Sequence, residues 1–114
     1  LSLVSPQDRA TVTDTSATLT WTCEPFLDAR RTDWIIASNV IDATIIAYTF
    51  VSDTTQYVIG DLLSNNSYEW DVRSYYEYNN SEGRMNVLSR SFPRGRGSYD
   101  FSANGAFIFT VMTE

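Results

Sequence analysis

The chain has 114 residues, 43% of them hydrophobic and 14% aromatic, which suits one domain with a substantial core and argues against a disordered segment. A formal net charge of -6 makes nucleic acid a poor partner, because an acidic surface repels phosphate backbones, although moderate negative charge also serves simply to keep a domain soluble. All eight basic residues are arginine, and without lysine or histidine there is no Schiff-base, acyl-lysine or isopeptide chemistry and no imidazole base near neutral pH.

Helical periodicity is scarce. Short alternating runs separated by turn residues predict an all-β fold of two antiparallel sheets with seven or eight strands. Residues 2–4 and 10–13 read as a first strand broken at Pro6, since proline cannot donate to a ladder. Residues 17–23 are the cleanest strand, with Leu19, Trp21 and Cys23 facing the core and Thr18, Thr20 and Thr22 facing out. Cys23 is the one cysteine, so it forms no intrachain disulfide and is expected as a small buried hydrophobe, with the redox compartment left open.

Residues 24–31 read as a loop and 32–40 as the next strand, with Trp34 and Ile36 on one face. The apolar run 43–51 crosses to, or edges, the other sheet. Ser52-Asp53-Thr54 is a turn, and 55–59 is a strand leading into Leu62-Leu63-Ser64-Asn65-Asn66-Ser67-Tyr68. A leucine, a polar turn and a tyrosine six residues on predict a corner whose ring is buried and whose hydroxyl bonds back to the backbone upstream. From it runs the longest predicted strand, 67–78, with Tyr68, Trp70 and Val72 inward and Glu69, Asp71 and Arg73 outward.

Residues 79–83, Asn-Asn-Ser-Glu-Gly, have hairpin chemistry, and 86–92 would return as the last strand of a standard sandwich. Residues 93–97 are a linker by composition. Beyond them 106–112 is as strand-like as anything in the chain, and supplies either the true final strand or an eighth one. Phe107, Phe109 and Val111 share one face of it, Ile108 and Met112 the other, so both faces are apolar.

Pro6, the Leu19-Thr20-Trp21 strand, Trp34, and Leu62 followed by Tyr68, Trp70 and Val72 resemble a fibronectin type III (immunoglobulin-like) β-sandwich. The likeness is to the divergent modules of microbial surface and secreted proteins, and it covers residues 3–93 of the single domain 1–114. In that family a proline lies near the start, a tryptophan fills the second strand and the corner tyrosine opens the sixth. The chain departs from the pattern after Phe92, where residues 94–114 add a linker and a further strand. The resemblance implies a scaffold or recognition role and no activity.

Enzyme signals are nearly absent, and no cofactor is expected. There is no histidine for a triad, no CxxC, no HExxH and no phosphate-cradling glycine loop. Glu69 and Asp71, two apart on one strand face beside Arg73, read as a solvated face with a local ion pair rather than an acid-base pair. Asn79, Asn80 and Glu82 offer oxygens in a turn, but their spacing matches no calcium loop and no metal site is expected. Asn65 and Asn79 head N-glycosylation sequons.

Two readings of function remain. The first is a non-enzymatic extracellular or cell-surface structural and adhesive module whose partner is a protein, copies of itself included. In its filament form the strand carrying Phe107, Ile108, Phe109 and Val111 would complete a neighbour's sheet. The alternative is a carbohydrate-recognition accessory domain of a secreted protein, stacking sugar on Tyr75, Tyr76 and Tyr78. No stretch is long and apolar enough to insert in a bilayer, and a chain opening on Leu1 is expected to be processed or excised from something longer.

Overall fold

A computed structural model describes residues 1–23, 29–78 and 97–113. These residues are all-β. The strands are β1 (Ser2–Ser5), β2 (Thr11–Val12), β3 (Ala17–Thr22), β4 (Ala29–Asn39), β5 (Ile45–Ser52), β6 (Gln56–Ile59), β7 (Asn66–Tyr78), β8 (Gly97–Phe101) and β9 (Phe107–Val111). They form two sheets. The smaller runs β1-β3-β6, and the larger runs β2-β9-β7-β4-β5, with β8 also paired to β7.

The strand alternation that the sequence predicts is present. Leu19 and Trp21 of β3, Ile35 and Ala37 of β4, Tyr68, Trp70 and Val72 of β7, and Phe109 and Val111 of β9 belong to one buried cluster fed by both sheets. The corner tyrosine behaves as expected. Tyr68 is 2% exposed, its ring stacks on Phe109 at 5.7 Å, and its hydroxyl accepts a hydrogen bond from the Leu63 N–H at 2.8 Å. Asn65, in the turn before it, sits at φ 65°, a conformation asparagine tolerates better than most side chains.

An acid lies inside this core. Asp33 is 1% exposed and shares the inward parity of Ile35 and Ala37. Trp21 Nε1 donates to its Oδ2 at 2.8 Å, Ser74 Oγ donates to its Oδ1 at 2.6 Å, and Arg31 Nε lies 3.2 Å from Oδ1. A buried carboxylate is tolerated when its lone pairs are met in this way, and here the partners tie the smaller sheet to the larger. Cys23 is half-buried rather than fully buried, and its Sγ lies 3.3 Å from Ser74 Oγ. Burial, and secondarily the Asp33 charge, push its thiol above the ordinary thiol range against the opposing pull of the Ser74 hydrogen bond.

Three expectations change. The broken first strand is two strands in different sheets, β1 on β3 and β2 on β9. The β2–β9 pair is parallel, so the sheets are not wholly antiparallel. The final strand is β8 and β9 together: both run antiparallel along the same side of β7, opposite Arg73–Glu77 and Asn66–Trp70 respectively. Between them residues 102–106 bulge towards β1, where Asn104 Nδ2 donates to the Leu3 carbonyl at 3.0 Å and Asn104 Oδ1 accepts from the Leu3 N–H at 3.1 Å. The hairpin 79–83 and the strand expected at 86–92 lie outside the described residues.

Candidate functional site: the outer face of the larger sheet

Parity decides which side chains reach this face. With Asp33, Ile35 and Ala37 turned inward, Trp34, Ile36 and Ser38 of β4 turn outward. Register carries the pattern sideways. Phe50 of β5 lies opposite Trp34, Trp34 opposite Arg73 of β7, and Arg73 opposite Phe101 of β8. One row, Phe50–Trp34–Arg73–Phe101, therefore crosses four adjacent strands. The next row holds Tyr48, Ile36 and Asp71.

The rings are in contact. Trp34 stacks on Phe50 at a centroid distance of 5.4 Å and 21° between planes, and meets Tyr48 edge-on at 5.0 Å and 86°. The Arg73 guanidinium carbon lies 5.3 Å from the Phe101 ring centroid, within cation–π range. Tyr48, Phe50 and Phe101 are nonetheless 58%, 60% and 51% exposed. Two donors on this face, Trp34 Nε1 and Arg73 Nε, are shielded from solvent and have no hydrogen-bond partner among the described residues.

Beside the row lies a shallow recess of about 150 Å³ whose lining includes Ile36, Ser38, Glu69, Asp71, Arg73 and Ala106. Asp71 Oδ1 accepts hydrogen bonds from Ser102 Oγ and from the Val72 N–H, both at 2.8 Å, while Glu69 is exposed. Such a surface offers flat apolar area, a cation and carboxylate acceptors. That is the chemistry of stacking and polar anchoring, which suits recognition.

The residues singled out from sequence fall in several places. Phe109 and Val111 are buried core, Phe107 is half-buried against Trp70, and Ile108 is exposed. Their strand is flanked on one side by β7 and on the other by β2 within its own chain, so here β9 has no free edge. The three tyrosines do not share a surface. Tyr76 points into the core at 2% exposure and Tyr75 points outward and is half-buried, because neighbours on a strand alternate. Tyr78 belongs to β7, but its side chain lies outside the described residues, as do Asn79, Asn80 and Glu82. Asn65 is exposed in its turn.

The aromatic row is the feature that sequence reasoning missed. Trp34 was legible as one face of its strand, but both faces of 32–40 are apolar, so parity alone does not say which is outward. The missing signal was register: the turn over 40–44 sets Trp34 against Phe50. Elsewhere, a groove of about 540 Å³ lies where the chain passes from β1 to β2, lined by Val4, Pro6, Gln7, Thr11 and Ala17 among others, with no ionisable side chain among the described residues of its lining. Among the described residues no cluster of histidine, cysteine or acidic groups could hold a metal, and no helix is long and apolar enough to cross a membrane. Comparison with protein-family models, with curated proteins and with solved structures gave no match.

Proposed function

We propose that this chain is a non-enzymatic adhesive module acting outside the cell or at its surface, built as a fibronectin type III-like sandwich and binding a protein partner through the outer face of its larger sheet. Support for the sandwich comes from the corner hydrogen bond of Tyr68, the buried Trp21 of β3, and a core fed by both sheets. Support for adhesion rests on the Phe50–Trp34–Arg73–Phe101 row, whose end rings Phe50 and Phe101 are exposed while Trp34 and Arg73 between them are half-buried. Exposed aromatic patches of this kind mark interaction surfaces, and tryptophan, tyrosine and arginine dominate binding hot spots. The adhesive contact belongs to this face rather than to exchange of β9, which would have to give up five register pairs with β7 and two with β2.

The recess beside the row favours a second reading, carbohydrate recognition. Glu69, Asp71, Arg73 and Ser38 surround it, and a sugar needs such polar groups next to a stacking ring.

Both readings are tested with the protein and a double variant, Trp34→Ala with Phe50→Ala, on a panel of surface and matrix proteins and on a glycan array. Adhesion predicts a protein hit that the variant loses while its thermal unfolding stays cooperative. Glycan hits alone establish the second reading. Binding that survives the double substitution puts recognition elsewhere on the molecule and overturns both.

A further inference from the structure

Four strands end the two sheet paths: β1 and β6 the smaller, β2 and β5 the larger. Edges invite pairing, and proteins protect them with short length, bulges, charge or proline. Three of the four are protected. β1 has four residues with a register shift between Leu3 and Ser5, β2 has two residues, and β6 has four. The lateral strand β8 carries Asp100.

β5 has none of these devices over most of its length. It has eight residues, Ile-Ile-Ala-Tyr-Thr-Phe-Val-Ser, without charge, proline or glycine, in a chain that is 19% charged. Its pairing with β4 is regular over six pairs, from Thr32 opposite Ser52 to Ala37 opposite Ala47, so the edge is straight there. Among the described residues no strand pairs with its outer side.

We propose that β5 is a self-association edge, pairing antiparallel with β5 of a second copy about a two-fold axis through Thr49. A strand that pairs with itself antiparallel makes an isologous contact and closes as a dimer. Symmetry then dictates the neighbours. Thr49 meets the partner's Thr49, Tyr48 meets the partner's Phe50, and Ala47 meets the partner's Val51. Faces match in this register, since Tyr48 and Phe50 are both outward and Ala47 and Val51 both face the core. Asp53, just past the strand, falls beside the partner's Ile45 rather than beside another acid.

A second copy fits better than another protein for two reasons. The strand has no charge pattern that would select a different partner, and pairing it with itself sets aromatic against aromatic twice, which stabilises a sheet. The larger sheets become continuous, and the two Phe50–Trp34–Arg73–Phe101 rows join into one surface. The inference adds to the adhesive reading and rests on it only in taking the partner to be a protein.

The test is sedimentation velocity of the whole chain over a wide concentration range, with Thr49→Lys and Phe101→Ala. Wild type should rise towards twice the monomer mass with concentration, more steeply at high salt, because two domains each of net charge -6 repel. Thr49→Lys sets two ammonium groups face to face and should remain monomeric. Phe101→Ala lies on β8, at the far end of the row from β5, and should dimerise as wild type does while weakening any partner bound by the aromatic row, so the two proposals fail separately. Should Thr49→Lys not fold, Thr49→Cys in a Cys23→Ser background replaces it. The proposal predicts rapid formation of a disulfide-linked dimer, faster than for Ser52→Cys, which lies away from the axis. A wild type that stays monomeric at every concentration, a folded Thr49→Lys that dimerises unchanged, or faster crosslinking at position 52 overturns it.

Discussion

Trp21, Trp70 and Trp34 bring indoles to the two sides of this molecule, and their nitrogens are treated differently. Inside, Trp21 Nε1 donates to Asp33 at 2.8 Å and Trp70 Nε1 to the Pro6 carbonyl at 3.4 Å. Outside, Trp34 Nε1 is shielded by its neighbours and has no partner among the described residues, and Arg73 Nε beside it is in the same state. A shielded donor without an acceptor raises the free energy of a fold. The core face is thus organised around its own needs, down to an acid placed to meet an indole. The outer face keeps aromatic area exposed and, among the described residues, two donors unmet, which accords with the recognition role proposed for it.

The strongest way to break this contrast is to remove the acid. Asp33→Ala should lower stability by about 3–5 kcal/mol, because Trp21, Ser74 and Arg31 lose their common partner, and urea unfolding measures it. Trp21→Phe, which leaves Asp33 Oδ2 unmet, should cost about 1–3 kcal/mol by the same measurement. Tyr68→Phe keeps the buried ring and deletes the corner hydrogen bond, for an expected loss of about 1 kcal/mol. Trp34→Phe sharpens the contrast from the other side. It removes a donor that has no partner among the described residues, so stability should stay within about 0.5 kcal/mol of wild type. If it costs as much as Trp21→Phe, the two faces are not different in kind.

The smallest effect concerns pH. The Cys23 thiol is raised in the folded protein, chiefly by burial, so the unfolded chain gives up this proton first as pH climbs. Its contribution is present below the ordinary thiol range and is lost as pH rises towards the folded value. Stability measured across that range should fall with pH, and Cys23→Ala should flatten the decline.

Much of the inner face was legible in the sequence because it follows from period-two alternation and local turn chemistry. Tyr68, Trp70 and Val72 share one parity, and the Leu62-to-Tyr68 spacing specifies the corner. Asp33 shares parity with Ile35 and Ala37, but with both faces of its strand apolar the sequence does not mark that parity as the inward one, and a charged residue in an apolar row does not announce its partner on another sheet. The outer face was hidden for a different reason. Phe50, Trp34, Arg73 and Phe101 come together through three strand registers, and register depends on turns and bulges that composition does not fix. The parallel pairing of β2 with β9 was equally out of reach, since it joins segments about a hundred residues apart.

That last pairing bears on how the molecule is made. β9 is seated between β2 and β7, and Asn104 clasps Leu3 across 101 positions of sequence. The contacts that close the fold are among the most distant in the chain, a high contact order that makes folding slow compared with helical domains of this size. During synthesis the first strands emerge long before the segments that cover them, so the larger sheet closes only after its final strand has been made. A nascent chain halted before residue 97 would lack both β8 and β9, and would present the side of β7 they occupy as an open edge for any other chain nearby.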